Sequence, residues 1–312
     1  MKSKISIKVL CIFLLLLFLT GCKSGGKNSE QEKEKNTPPK LPEVLFEMET
    51  QTLEIMHIID SVAGVEKSII EKNKAKEDIE KDTEVPLKTE EKDTTAKDKI
   101  DIQMLIINEA TIISVLKKEE IESDFIKKIK VPDSTDEVWF EINKQIGEIH
   151  SKWNVLEPQL NELNVPKSSI AQFEKVLDLL TINAQSELII ENLFALNQLT
   201  NYLANYRSFF KSKTPHEVYN IKYQLRKSVL LSSVEEYNLA KIASTKAAEL
   251  GSALRQRLIE KKANDVVQKF ELSINDLNRQ IDSKQFPLIQ INGGIAMKNC
   301  MLMINVFEGS MQ

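Results

Sequence analysis

Residues 139–163 read WFEINKQIGEIHSKWNVLEPQLNEL, and their apolar side chains return every three or four positions: Trp139, Ile142, Ile146, Ile149, Trp153, Leu156, Leu160 and Leu163. An α-helix turns once in about 3.6 residues, so this spacing gathers all eight on one face and leaves the charged and amide side chains on the other. A strand would need strict alternation. Both tryptophans lie on the stripe and are read as core residues. Pro158 predicts a kink, because it removes one amide donor and collides with the carbonyl of Asn154. Just upstream, Ser134 and Glu137 have the spacing of a capping box that would open the helix.

The same period continues on both sides. Towards the C-terminus, Ile170, Phe173, Leu177, Leu180 and Ala184 open a long helix that runs on through Leu188, Ala195, Leu199, Tyr202, Tyr206 and Phe209. Thr214-Pro215-His216-Glu217 then predicts a reversal, with a cap residue, a proline at the first helical position and a glutamate to complete the box. From Val218 to Ile281 the pattern hardly pauses, which as one rod would exceed roughly 90 Å. A break is therefore expected near Ser232-Ser233. Within this region Ala240, Ser244, Ala247 and Gly251 are small at every step, which predicts close approach of a neighbouring helix. Beyond Pro287, Asn292-Gly293-Gly294 predicts a turn, followed by an apolar run at residues 301–307 that fits helix or strand.

Towards the N-terminus, Ile102, Leu105, Ile106, Ile112, Ile113 and Leu116 carry the signal, and a short piece at residues 121–129 stops at Val131-Pro132. Residues 71–99 are dominated by charge and interrupted by Pro86, and read as a disordered linker. Before them, Leu45, Met48, Thr52, Ile55, Ile59 and Val62 predict a first amphipathic helix within residues 42–70, ending near Gly64 or a few residues beyond. With only nine glycines and nine prolines in 312 residues there is little material for the turns of a β-sandwich or barrel. The expected fold is all-α, an antiparallel bundle of long amphipathic helices with coiled-coil-like packing, its main body at residues 100–312.

The first residues are of a different kind. Lys2, Lys4 and Lys8 precede an unbroken apolar run, Val9 to Leu19, that is too short to span a membrane at roughly 20 residues. It ends in Leu19-Thr20-Gly21-Cys22. This quartet resembles the lipobox of bacterial lipoproteins, a resemblance confined to the first twenty-two residues. It implies cleavage of residues 1–21 between Gly21 and Cys22, attachment of diacylglycerol to the Cys22 thiol, and a membrane-anchored protein on the extracytoplasmic face. Lys23 stands where an aspartate is associated with inner-membrane retention, and the composition is rich in Lys, Ile, Asn and Glu, so a single-membrane bacterium is expected. Residues 22–41 are polar and read as a flexible tether.

Charge is nearly balanced, 42 basic against 46 acidic residues, which disfavours a nucleic-acid partner. Cys11 would leave with the signal and Cys22 would carry lipid, so only Cys300 remains and no intramolecular disulfide is available. A di-metal bundle site needs two E-x-x-H pairs on different helices. One such pair occurs, Glu54 with His57, followed by Asp60, and a solvated helix face explains it more simply. Trp153 with Glu157-Pro158 is similar to helical iron-uptake lipoproteins of the imelysin type, but their H-x-x-E motif is absent and no residue carries over. Glu187 with Glu191 reads as a solvated edge, and Asn197, Asn201 and Asn205 as a solvent-facing ladder.

Tyr202, Tyr206, Tyr219 and Tyr223 flank the Thr214 turn and are the candidate contacts for a ligand or partner, with packing at a helix hairpin as the plainer alternative. No nucleophile elbow, phosphate loop, Cys-x-x-Cys or H-E-x-x-H motif occurs. The expected function is a non-enzymatic, lipid-anchored envelope protein that binds another protein or envelope component, with no cofactor or metal. The alternative is a substrate- or metal-binding lipoprotein of an uptake system built on a helical scaffold.

Overall fold

The computed structural model describes residues 38–83 and 100–310. The signal, Gly21, Cys22, most of the tether and the second half of the charged segment lie outside the described residues. Eleven α-helices are present among the described residues, and no strand. They are α1 (Glu43–Thr83), α2 (Ile102–Glu109), α3 (Ile113–Leu116), α4 (Asp124–Lys128), α5 (Asp136–Glu162), α6 (Lys167–Gln185), α7 (Ile189–Tyr206), α8 (His216–Ser233), α9 (Tyr237–Glu260), α10 (Asn264–Ser283) and α11 (Phe286–Glu308). Short 3-10 turns at Lys117–Glu119 and Arg207–Phe209 follow α3 and α7. The chain from Pro39 onward forms one compact unit.

Within it the long helices close into two four-membered rings. In the first, α1 packs on α5, α5 on α6, α6 on α7, and α7 back on α1. In the second, α8, α9, α10 and α11 follow one another around the ring, and α11 returns to α8. Neighbours in sequence run antiparallel, as short turns require: His150 meets Thr181 while Trp153 meets Glu174, and Lys241 meets Asp282 while Arg255 meets Glu271. The two bundles join along α7 and α8. The α2–α3 segment straps them on a second side, with α2 lying on α1 and α3 on α11.

The stripe of residues 139–163 is the inner face of α5. Trp139, Ile142, Ile146, Ile149, Trp153, Leu156 and Leu160 are all buried, and Trp153 stacks on Phe173 of α6 with ring centroids 4.1 Å apart. Each such side chain contributes on the order of 1.5–3 kcal/mol on burial. The helix runs through Pro158 without ending. Its start differs from the expected capping box, because the Ser134 hydroxyl accepts from the Asp136 N–H and Thr135 occupies the cap position without a side-chain bond.

Helix α1 departs furthest from its sequence reading. Beyond the expected stripe, Leu53, Met56 and Ile58 are buried too, because α5 and α7 cover one side and α2, α3 and α4 the other. It also continues to Thr83, so residues 71–83, expected as part of a charged linker, are helical. Lys72 ties this extension down by donating to the carbonyls of Val131 and Pro132 at 3.2 Å and to the Asp133 carboxylate at 2.8 Å. Gly64 does not end the helix. A Cβ there would lie 2.3 Å from the Ile106 Cα, so the missing side chain is what lets the α2 backbone cross α1.

A similar correction applies to Asn292-Gly293-Gly294, which lies inside α11 rather than at a turn. A Cβ at Gly293 would approach Val229 Cγ2 to 2.6 Å, and one at Gly294 would sit 3.4 Å from the Ser114 carbonyl. The two glycines let α11 close on α8 and α3 together. The small stripe of α9 behaves as expected: Ala240, Ser244, Ala247 and Gly251 are buried, and a Cβ at Gly251 would lie 2.3 Å from the Phe270 ring of α10.

The expected break at Ser232-Ser233 is the α8–α9 turn. Two further breaks fall where the sequence pattern runs on, at residues 186–188 and 261–263. Each is closed by a non-glycine residue in the left-handed region, Glu187 and Lys262, and the turns at Asn164, Glu235 and Lys284 use the same device.

Candidate functional site

The most unusual chemistry of the fold lies where the two bundles meet. Four helices and turns each bring charge into the junction: Glu49 from α1, Glu119 from the turn after α3, Arg207 from the turn after α7, and Lys222 with Arg226 from α8. All five are buried, with Glu119 and Arg226 side chains at 0% and 1% exposure. Lys222 and Arg226 occupy the same helical stripe as Val218 and Val229, so the face that packs α8 on the first bundle also delivers the cations.

All three guanidinium nitrogens of Arg226 are engaged. One terminal nitrogen donates to both Glu119 oxygens at 2.6 and 2.7 Å, the other donates to Thr200 Oγ1 at 2.8 Å, and Nε donates to Asn197 Oδ1 at 2.9 Å. Lys222 Nζ bridges the two carboxylates, 3.2 Å from Glu49 and 3.1 Å from Glu119. Arg207 donates to the second Glu49 oxygen and lies over the Tyr219 ring, 3.8 Å from its centroid. The Arg207 Nε is buried without a protein partner.

Burial by itself would push the Glu49 carboxyl upward, but Lys222 and Arg207 more than offset this and hold it at about 2. Lys222 is likewise favoured in its charged form: burial works against it, and Glu49 with Glu119 prevails. Glu49 and Lys222 therefore keep their charges through the neutral range. The arrangement is a buried charged seam between the two bundles, with three cations facing two carboxylates.

A second cluster sits on α1. Asp60 is buried and accepts from three backbone amides of the strap, Thr111 at 2.8 Å, Ile112 at 2.7 Å and Ile113 at 2.8 Å, so one carboxylate caps the start of α3. From the other bundle, Gln290 of α11 donates to the carbonyls of Ala110 and Thr111. Burial outweighs the three amide bonds and pushes Asp60 up to about 6. His57, one turn earlier, is buried with Nδ1 unpartnered, and burial with help from Lys117 lowers it to about 4. Glu54 instead lines an open groove of about 400 Å³ between α1 and α5, beside Phe46, Glu47, Gln51 and Glu148. The E-x-x-H pair is thus split between groove and core, and the Asp60 oxygens are committed to the backbone. No group of three or more His, Cys, Asp or Glu placed to hold a metal ion occurs among the described residues.

The four tyrosines do not gather into one site. Tyr202 and Tyr206 pack against Phe173 in the first bundle, and the Tyr206 hydroxyl donates to the Ser169 carbonyl. Tyr219 belongs to the charged junction through Arg207. Tyr223 is buried and donates to Gln198 Oε1 at 2.9 Å. Asn197, expected to face solvent, is buried and supports Arg226, whereas Asn205 is exposed. None of the five junction charges was singled out by motif. The available signal was a charge on an apolar stripe, as at Lys222 and Arg226 between Val218 and Val229.

Comparison of the chain with protein-family models, curated proteins and solved structures gave no match.

Proposed function

We propose that the chain is a lipid-anchored, extracytoplasmic, non-enzymatic binding protein, tied to the membrane through Cys22 and presenting its double bundle to a protein or envelope component. The observation that carries this reading is the order of features in the first residues: three lysines, an apolar run too short to span, and Leu19-Thr20-Gly21-Cys22 followed by a polar segment. Two or more acyl chains, at about 0.8 kcal/mol per buried methylene, would hold the protein stably where one chain would not. The body supports the binding half of the proposal. Its buried charges are spent on joining the bundles, and its open surface offers grooves between α1 and α5 and between α8 and α9, the latter lined by Leu231, Leu239 and Ile242.

The test is Cys22→Ala in the native host. The expected outcome is an intact fold that leaves the membrane fraction, together with loss of the diacylglycerol mass from the N-terminal peptide. A variant still held by membranes after carbonate washing would overturn the anchor.

A further inference from the structure

The C-terminus of α11 lies at one end of the second bundle, where α8 begins and α9 ends. Thr214, in the loop before α8, donates to the Glu308 carboxylate, and Phe307 lies beneath Arg257 of the last turn of α9 and Lys261 just after it, 5.4 and 5.8 Å from the ring centroid. Lys211 and Lys213 stand on the same loop as Thr214, and Lys262 follows Lys261 in the turn. Lys40 joins them through a backbone bridge to Lys211, in which the Lys211 N–H donates to the Pro39 carbonyl at 2.7 Å. All six cations are exposed, and none forms a salt bridge among the described residues. Of the acids nearby in sequence, Glu217 pairs with His216 and Asp265 with Lys269, while Glu260 and Glu308 accept only from the neutral Gln256 and Thr214 and Glu43 is exposed, so the six cations outnumber the carboxylates around them.

This basic end is also where the chain enters the body. Pro39 and Lys40 lie on Lys211, and only the sixteen residues 23–38 separate them from Cys22. A segment of that length reaches at most about 55 Å. Arg257 and Lys261 gain something from the negative end of the α9 dipole, but Lys40, Lys211 and Lys213 stand outside any helix and have no such reason to gather. Unpaired lysines at the end of the body where a membrane tether would enter are what anionic headgroups attract, and a weak electrostatic contact supplements an acyl anchor.

We propose that this end of the second bundle docks on anionic lipid headgroups and holds the body end-on against the bilayer. The proposal rests on the lipid-anchor reading, and its test is chosen to be separable from it. The mature chain from residue 22, with Cys22→Ser so that no lipid is attached, is sedimented with vesicles of phosphatidylcholine alone and with vesicles in which about a third is phosphatidylglycerol, at about 0.05 M salt, where screening is weak. Binding to the anionic vesicles alone is expected, lost at high salt. Each lysine near the surface changes partitioning by about fivefold, so Lys211→Gln, Lys213→Gln and Lys261→Gln together should weaken it roughly a hundredfold. Lys167→Gln with Lys175→Gln, on α6, should leave it unchanged. Equal binding to neutral vesicles, no binding at low salt, or an equal loss from the α6 pair would overturn the proposal while leaving the lipidation of Cys22 untouched.

Discussion

Glu119→Gln is the sharpest probe of the junction. The substitution keeps the shape of the side chain but removes a carboxylate that receives two bonds from Arg226 and one contact from Lys222, all buried. Two carboxylates against three cations become one against three, inside a buried seam. Breaking a buried pair by removing one partner costs about 3–5 kcal/mol, because the charge left behind is neither paired nor hydrated. That is a large share of the roughly 5–15 kcal/mol that holds an ordinary domain folded. Urea unfolding followed by far-UV circular dichroism should show the loss. High salt should not relieve it, since buried charges are poorly screened. Adding Arg226→Met removes the stranded guanidinium, and the double variant should recover about 2 kcal/mol or more relative to simple addition. If Glu119→Gln costs under about 1 kcal/mol, or if the two substitutions merely add, the junction is not a coupled charge network and the reasoning fails.

Three further outcomes follow from the same structure. His57 is held low, so its stabilising contribution is lost as pH falls from about 6.5 towards 4; Asp60 is held high, so its contribution is present below about 4 and lost as pH rises towards 6. Each is worth at most about 3 kcal/mol and the two oppose each other. His57→Gln should therefore unmask a stability that falls between pH 4 and 6, read as melting temperature against pH, and a profile parallel to the parent's would refute the pairing. Gly64→Ala should cost about 3 kcal/mol, because its Cβ meets the α2 backbone, and Gly251→Leu, which meets the buried Phe270 ring, should cost about 1–3 kcal/mol by overpacking; equal melting temperatures for parent and Gly64→Ala would show that the crossing is looser. Lys262→Gly relieves a left-handed residue and should be neutral or stabilising by up to about 1 kcal/mol, and a clear loss in chemical denaturation would show that the lysine side chain matters more than its backbone.

Much of the fold could be read directly, because apolar period is a property of one helix at a time. The α5 stripe, the α8–α9 break and the small face of α9 all follow from it. The breaks at Glu187 and Lys262 were hidden for a physical reason: glycine and proline are the usual punctuation, and here glutamate and lysine adopt the left-handed turn in their place. Glycine misled in the opposite direction, since Gly64, Gly293 and Gly294 serve helix–helix contact rather than turns. The junction was illegible because its members come from four places in the chain, and a lone Glu49 or Glu119 reads as surface charge until α8 is laid beside it. The tyrosines were grouped by nearness in sequence, but consecutive helices point them to different neighbours.

The order of the helices sets an order of events. The second bundle is contiguous, from His216 to Glu308, and contains every partner needed to close its own ring. The first is not. Helix α1 is made first, yet the helices that cover it end only at Tyr206, with the strap and α5 in between. The strap and α5 can cover part of it early, but the apolar side that packs on α7 must wait uncovered while more than a hundred residues emerge. Ring closure by α1 is a long-range contact, slower than the local hairpins of the second bundle. During that wait the newborn chain is at its most vulnerable to aggregation, and a chaperone or a rapid passage to the finished fold would matter most there.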